Sequence, residues 1–155
     1  MFSPKKVLLW SVILVSALSC RENVVFDEFS HIGKPGWNWS DKRAFDIEPG
    51  DTTQMHDIYI QVRHTVDYPM SNLYMFVNVY GPSGQSMKDT VNMILAEPDG
   101  RWVGRGPGKI RELRFHYRKN TIFSEPGTYR FILEQGMRVP SLPVTDVGIR
   151  ITKSQ

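Results

Sequence analysis

Ile58-Tyr59-Ile60-Gln61-Val62-Arg63 alternates without a break. Ile58, Ile60 and Val62 fall on one face of an extended chain, and Tyr59, Gln61 and Arg63 on the other. Side chains along a strand point to opposite faces in turn, so this period of two marks a strand with one side on a core and one toward water. The pattern recurs in both directions. Leu113, Phe115 and Tyr117 alternate with Arg114, His116 and Arg118, and Tyr129, Phe131 and Leu133 with Arg130 and Glu134. Val147, Ile149 and Ile151 alternate with Gly148, Arg150 and Thr152. Val24 to Phe29 and Ala44 to Ile47 are shorter runs, and Thr90 to Ala96 reads as another strand. Leu73 to Tyr80 is apolar on both faces apart from Asn78. That is the mark of a central strand, covered on both sides or carrying an aromatic-rich face.

Turn chemistry separates these runs at Pro49-Gly50-Asp51, Gly81-Pro82-Ser83-Gly84 and Glu125-Pro126-Gly127. Beyond the N-terminal apolar stretch, no helical periodicity persists for ten residues. About eight short strands with turns every ten or so residues predict an all-β fold. The expected architecture is a single antiparallel β-sandwich, jelly-roll or Ig-like.

The longest interruption between strands is Leu95-Ala96-Glu97-Pro98-Asp99-Gly100-Arg101-Trp102-Val103-Gly104-Arg105-Gly106-Pro107-Gly108. Asp99-Gly100 predicts a type I′ hairpin, because both residues accept positive φ. Trp102 is an aromatic anchor just past it. A phosphate-binding loop is excluded: Gly-x-x-x-x-Gly-Lys-Ser/Thr would need Gly and a hydroxyl where Val103 and Ile110 stand. A dinucleotide loop would open a helix, whereas a strand follows here. Arg101, Arg105, Lys109 and Arg111 form a basic cluster beside this loop. Arg101, Trp102, Arg105 and Lys109 are therefore the candidate partner contact, against the plainer reading of a solvated strand end.

The N-terminus has the form of a secretory leader. Lys5 and Lys6 precede an apolar run from Val7 to Leu18, closed by Ala17-Leu18-Ser19-Cys20. Twelve helical residues span about 18 Å, short of the roughly 30 Å hydrocarbon core of a bilayer. Cys20 is the only cysteine of the 155 residues and stands where a lipoprotein signal peptidase would cut. A lone cysteine in a secreted chain forms no internal disulfide, and acylation gives it a role. Residues 1–19 are thus expected to be a lipoprotein signal peptide and residues 20–155 one lipid-anchored β-sandwich domain. Removing Lys5 and Lys6 leaves 17 basic against 16 acidic side chains. Such a balance gives no electrostatic footprint for nucleic acid.

Catalytic and metal chemistry find little support. His31, His56, His64 and His116 share no ligand spacing, and His64 and His116 read as half-exposed residues of alternating strands. There is no Gly-x-Ser-x-Gly elbow. Asp99, Glu112, Glu125, Glu134 and Asp146 include no pair that one dimension selects. No catalytic residue, metal or small-molecule cofactor is expected. Trp37, Trp39 and Trp102 are expected to fill the ends of the sandwich. The alternative is a surface carbohydrate-binding module with these rings as its platform.

Taken in order, several stretches resemble the GldH gliding-motility lipoproteins of Bacteroidetes-type bacteria. They are Tyr68-Pro69-Met70-Ser71-Asn72-Leu73-Tyr74, Asp89-Thr90, Leu95 to Gly104, Glu125-Pro126-Gly127-Thr128-Tyr129, Glu134-Gln135-Gly136-Met137-Arg138, Leu142-Pro143 and Asp146-Val147-Gly148-Ile149-Arg150. The set covers nearly all of the chain after the leader, and the leader ends in a cysteine as the family's does. Departures are Ala17 in the lipobox and Pro107 in the glycine run. The resemblance implies a cell-envelope protein, periplasm-facing or at the outer membrane, anchored through lipid on Cys20. It implies a non-catalytic accessory or assembly role beside other envelope and motility proteins, in machinery linked to type IX secretion.

Overall fold

The computed structural model describes residues 23–155; the leader and Cys20 lie outside the described residues. Eight strands follow in order: β1 (Val24–His31), β2 (Arg43–Ile47), β3 (Met55–Thr65), β4 (Asn72–Tyr80), β5 (Ser86–Ile94), β6 (Ile110–Ile122), β7 (Tyr129–Gln135) and β8 (Val144–Lys153). They form two four-stranded antiparallel sheets, β1-β8-β3-β6 and β2-β7-β4-β5. Every connection except β4–β5 crosses from one sheet to the other. This is jelly-roll order, and it decides against the Ig-like alternative, whose sheets group the strands differently.

The core is the alternation made solid. Ile58, Ile60 and Val62 of β3 are buried with Val147, Ile149 and Ile151 of β8, facing Leu73, Met75, Val77, Phe131 and Leu133 of the second sheet. β3 is buried along its whole inner edge, so His56 and His64, which share the parity of Ile58, are fully enclosed. The expectation of a half-exposed His64 fails for that reason. His116 lies on the outer face of β6, paired with Tyr59, and stays partly exposed, its ring 4.5 Å from that of Tyr59. On β4, Tyr74 and Tyr80 remain exposed while Leu73, Met75 and Val77 are buried, so this central strand carries an aromatic outer face rather than two covered ones.

The outer face of the first sheet is closed by charge. Gln61 Nε2 donates to Asp27 at 2.8 Å, and Arg150 pairs with Asp27. A Cβ on Gly148 would sit 2.4 Å from the Glu28 carbonyl and 3.0 Å from the Phe29 ring, so only glycine lets β1 close on β8 here. Arg63 stacks 3.8 Å above that Phe29 ring and pairs with Glu112 at 2.8 Å.

Side chains also bridge the open edges between sheets. Arg43 donates to Ser30 and to the His31 carbonyl at 3.2 and 3.0 Å, linking β2 to β1. Tyr117 and Arg118 of β6 both donate to Asp89 of β5. Burial, reinforced by that carboxylate, pushes the Tyr117 hydroxyl up to about 12.

The connections β1–β2, β3–β4, β5–β6 and β7–β8 all lie at one end of the sandwich. The opposite end carries the other three connections, the beginning of β1 and the end of β8.

Candidate functional site

The β5–β6 connection, residues 95–109, is the largest feature of the loop end. It is held as a tongue rather than a slack glycine run. Leu95 is buried, and the amides of Leu95 and Ala96 donate to the Ser71 carbonyl at 2.8 and 3.0 Å. Val103 donates back to Leu95 at 2.9 Å, and Ala96 and Trp102 face each other as a bridge. The tip is not the predicted type I′ turn. Gly100 takes φ 82° while Asp99 keeps the ordinary sign, and the Gly100 amide donates to Glu97 at 2.9 Å. Pro98, with φ fixed near −65°, sets a type I turn one residue earlier than expected, and Gly100 supplies the left-handed residue that follows. The Asp99 carboxylate accepts the Arg101 amide at 3.0 Å.

The return limb packs closely on β6. Arg105 and Glu112 exchange backbone hydrogen bonds of 3.0 and 2.8 Å. A Cβ on Gly104 would lie 2.8 Å from the Glu112 carbonyl, so the approach depends on glycine. Arg111 then clips the glycines: its Nη1 donates to the carbonyls of Gly106, Gly108 and Ile110 at 3.0, 2.9 and 2.8 Å. Arg111→Ala should therefore loosen residues 105–109 and lower stability by about 1–2 kcal/mol. Amide hydrogen exchange and urea denaturation would check both.

Beneath the tongue lies an aromatic cluster. The His64 ring sits 4.7 Å from Trp102 and 5.5 Å from Tyr68, and Tyr68 donates to the Asn72 carbonyl at 3.0 Å. His64 Nδ1 lies 2.9 Å from the Thr65 carbonyl, which fixes the proton there in the neutral ring, while Nε2 has no partner among the described residues. Burial holds the pKa of His64 below the ordinary histidine range, against the opposing pull of the Thr65 carbonyl. His56, enclosed against Phe123 at the other end of β3, is lowered by burial too.

The unfolded chain therefore binds these protons more readily than the folded one. Their contribution to stability is complete above the unfolded pKa of ~6.5 and declines as pH falls below it. Asp46, Asp57 and Asp89 are held below the usual carboxylate range by hydrogen bonds, so their contribution is lost only at lower pH. The urea midpoint should thus fall between about pH 7 and 5, and the slope should flatten in His64→Phe.

Of the predicted contact residues, Trp102 is half-buried as the anchor of the tongue. Arg101, Arg105 and Lys109 are exposed together with Val103. Arg101 pairs with Asp99 at 3.2 Å, while the Arg105 and Lys109 side chains have no partner among the described residues. The tongue thus brings together an apolar side chain and two available cations on a fixed backbone.

Residues 24–151 match the family described as GldH lipoprotein. The chain belongs to the GldH lipoprotein family. It is 32% identical over 156 residues to a protein of Christiangramia forsetii named gliding motility lipoprotein GldH homolog, covering 96% of this chain and 94% of the relative. It is 31% identical over 153 residues to the gliding motility lipoprotein GldH of Flavobacterium johnsoniae, covering 94% and 93%. Membership makes this a membrane-anchored lipoprotein of the cell envelope with a gliding-motility lineage.

Other residues singled out in the sequence of this family member do not converge. Trp37 is wholly buried, Trp102 faces the core, and Trp39 alone is exposed, so the three rings build no shared platform. Glu112 pairs with Arg63, Asp146 with His31, Glu134 with Lys42, and Glu125 accepts from Gln85, each at its own place. Among the described residues no group of three His, Cys, Asp or Glu could hold a metal ion. Sequence reasoning missed Gln135, which is buried and organises the neighbouring β7–β8 loop. Its Nε2 donates to the Val139 carbonyl at 2.7 Å, and its Oε1 accepts the Met137 amide at 3.0 Å. A polar residue at a core parity, just before Gly136, was the available signal.

Proposed function

We propose that the protein is a non-catalytic accessory component of the motility and associated secretion machinery. It is held to the membrane by acyl chains on Cys20 and engages other envelope proteins through the 95–109 tongue. The observation that carries this reading is the tongue itself: Val103, Arg105 and Lys109 stand exposed on a backbone fixed by Arg111, Gly104 and the Trp102 anchor. A rigid loop loses little conformational entropy on docking, which favours protein recognition. The family and its gliding-motility relatives support the setting.

Affinity capture of the full chain from crosslinked envelopes tests it. The expected result is recovery of envelope proteins of the motility or secretion machinery, reduced several-fold in the double variant Arg105→Glu, Lys109→Glu. Equal recovery by the wild type and the double variant would remove the tongue from the account, and recovery of none would remove the accessory role.

A further inference from the structure

Five of the nine exposed large apolar side chains among the described residues gather at the end of the sandwich opposite the tongue: Val24, Met55, Tyr80, Met87 and Ile122. Met55 and Ile122 are direct cross-strand partners at the ends of β3 and β6. The Ser154 amide donates to the Met55 carbonyl at 2.9 Å, and the Lys153 amide to the Asn23 carbonyl at 2.9 Å, so the start of β1 joins the same rim. An apolar cleft of about 150 Å³ opens between β5 and β6 here, bordered by Met87, Ile122 and Phe123.

The charges of this end divide in a particular way. Its acids among the described residues are hydrogen-bonded within the chain, which holds them in place and leaves them charged. Asp51 accepts from Thr53, Asp57 from Asn120 and Ser154, Glu48 from Thr128 and Glu125 from Gln85. Lys119 and Lys153 are exposed and make no ion pair among the described residues. An apolar rim with available lysines suits the boundary between lipid headgroups and acyl chains, where long cationic side chains reach back to phosphate.

Chain connectivity keeps Cys20 close to this rim. Three residues separate Cys20 from Val24. Even fully extended they reach about 14 Å. We propose that this end is a lipid-contact face: Val24, Met55 and Ile122 enter the headgroup boundary of the membrane that holds the anchor, with Lys119 and Lys153 at the phosphates. The inference rests on acylation of Cys20. It also orients the molecule. β3 runs 11 residues from Met55 to Thr65, about 33 Å, so the tongue stands that far out, facing away from the bilayer.

The test uses the full-length lipoprotein, purified in detergent and returned to phosphatidylethanolamine–phosphatidylglycerol vesicles containing a spin-labelled quencher lipid. Since the thiol of Cys20 is consumed by acylation, Met55→Cys, Ile122→Cys, Ile94→Cys and Val103→Cys each offer one site for an environment-sensitive fluorophore. Quenching several-fold stronger at 55 and 122 than at 94 and 103 is expected. Equal quenching at all four, or none at 55 and 122, overturns the lipid-contact face even with the anchor intact. The intact mass of the same preparation separates the two failures, because a chain without acyl mass on Cys20 removes both the anchor and the face.

Discussion

Trp37→Ala should destabilise the fold by about 3–5 kcal/mol, the range for removing a large buried aromatic. Trp37 is fully buried and lies in the turn-rich β1–β2 connection, where a turn-rich composition would ordinarily place a surface loop. Its backbone exchanges hydrogen bonds with Leu142 at 2.9 and 3.1 Å, and its indole donates to the Asp41 carbonyl at 2.7 Å. One residue thus ties three pieces of the loop end: the β1–β2 connection, the β7–β8 connection and the core. Alanine would open a cavity, leave the Asp41 carbonyl without its indole donor and free both loops to move. Against a typical total of about 5–15 kcal/mol, such a loss brings a domain of this size close to unfolding. Thermal denaturation of the purified domain would read it. Trp39→Ala, two residues on and exposed, is the matched control and should change stability by less than about 0.5 kcal/mol.

The second large effect concerns attachment rather than folding. Cys20→Ser should abolish membrane association, leaving the chain as uncleaved precursor or releasing it from the envelope. Each buried methylene contributes about 0.8 kcal/mol to membrane binding, and a single acyl chain holds a protein only marginally. Several chains on one residue would make retention effectively permanent, and their removal would make the loss nearly complete. The apolar rim around Met55 and Ile122 is too small to replace them. Fractionation of cells, with mass spectrometry of the mature N-terminus, would show the difference. A wild-type chain found soluble, unmodified and beginning at another residue would refute the anchor.

Much of this architecture was written in alternation. The run Ile58–Arg63 named the inner face of β3 correctly because a half-buried strand leaves a period of two in its side chains. β5 was harder to read. It begins at Ser86 rather than at Thr90, because Ser86, Met87 and Lys88 are exposed on an edge strand and show no apolar rhythm; pairing with β4 alone defines them. The choice between jelly roll and Ig-like order was not legible either. It depends on which distant strands pair, and β1 with β8 or β3 with β6 leaves no local trace.

The site shows the same division. Gly100 and Pro98 announced a turn, yet its centre moved by one residue because the fixed φ of proline decides which peptide forms the corner. The basic cluster of Arg101, Arg105, Lys109 and Arg111 looked uniform in sequence. In space Arg111 turns inward onto three carbonyls and becomes structural, while Arg105 and Lys109 stay available. Such a role depends on loop shape, which residue type does not encode. The burial of His56 and His64 follows from their parity with Ile58, and only the length of the covered face was missing.

The claim that this lipoprotein works by protein contact through its tongue is tested most directly by photocrosslinking in the living cell. A photoreactive amino acid at Arg105 should yield discrete adducts with envelope proteins, and the same group at Lys88, on the outer face of the second sheet, should yield few. Adducts from Lys88 and none from Arg105 would contradict the account.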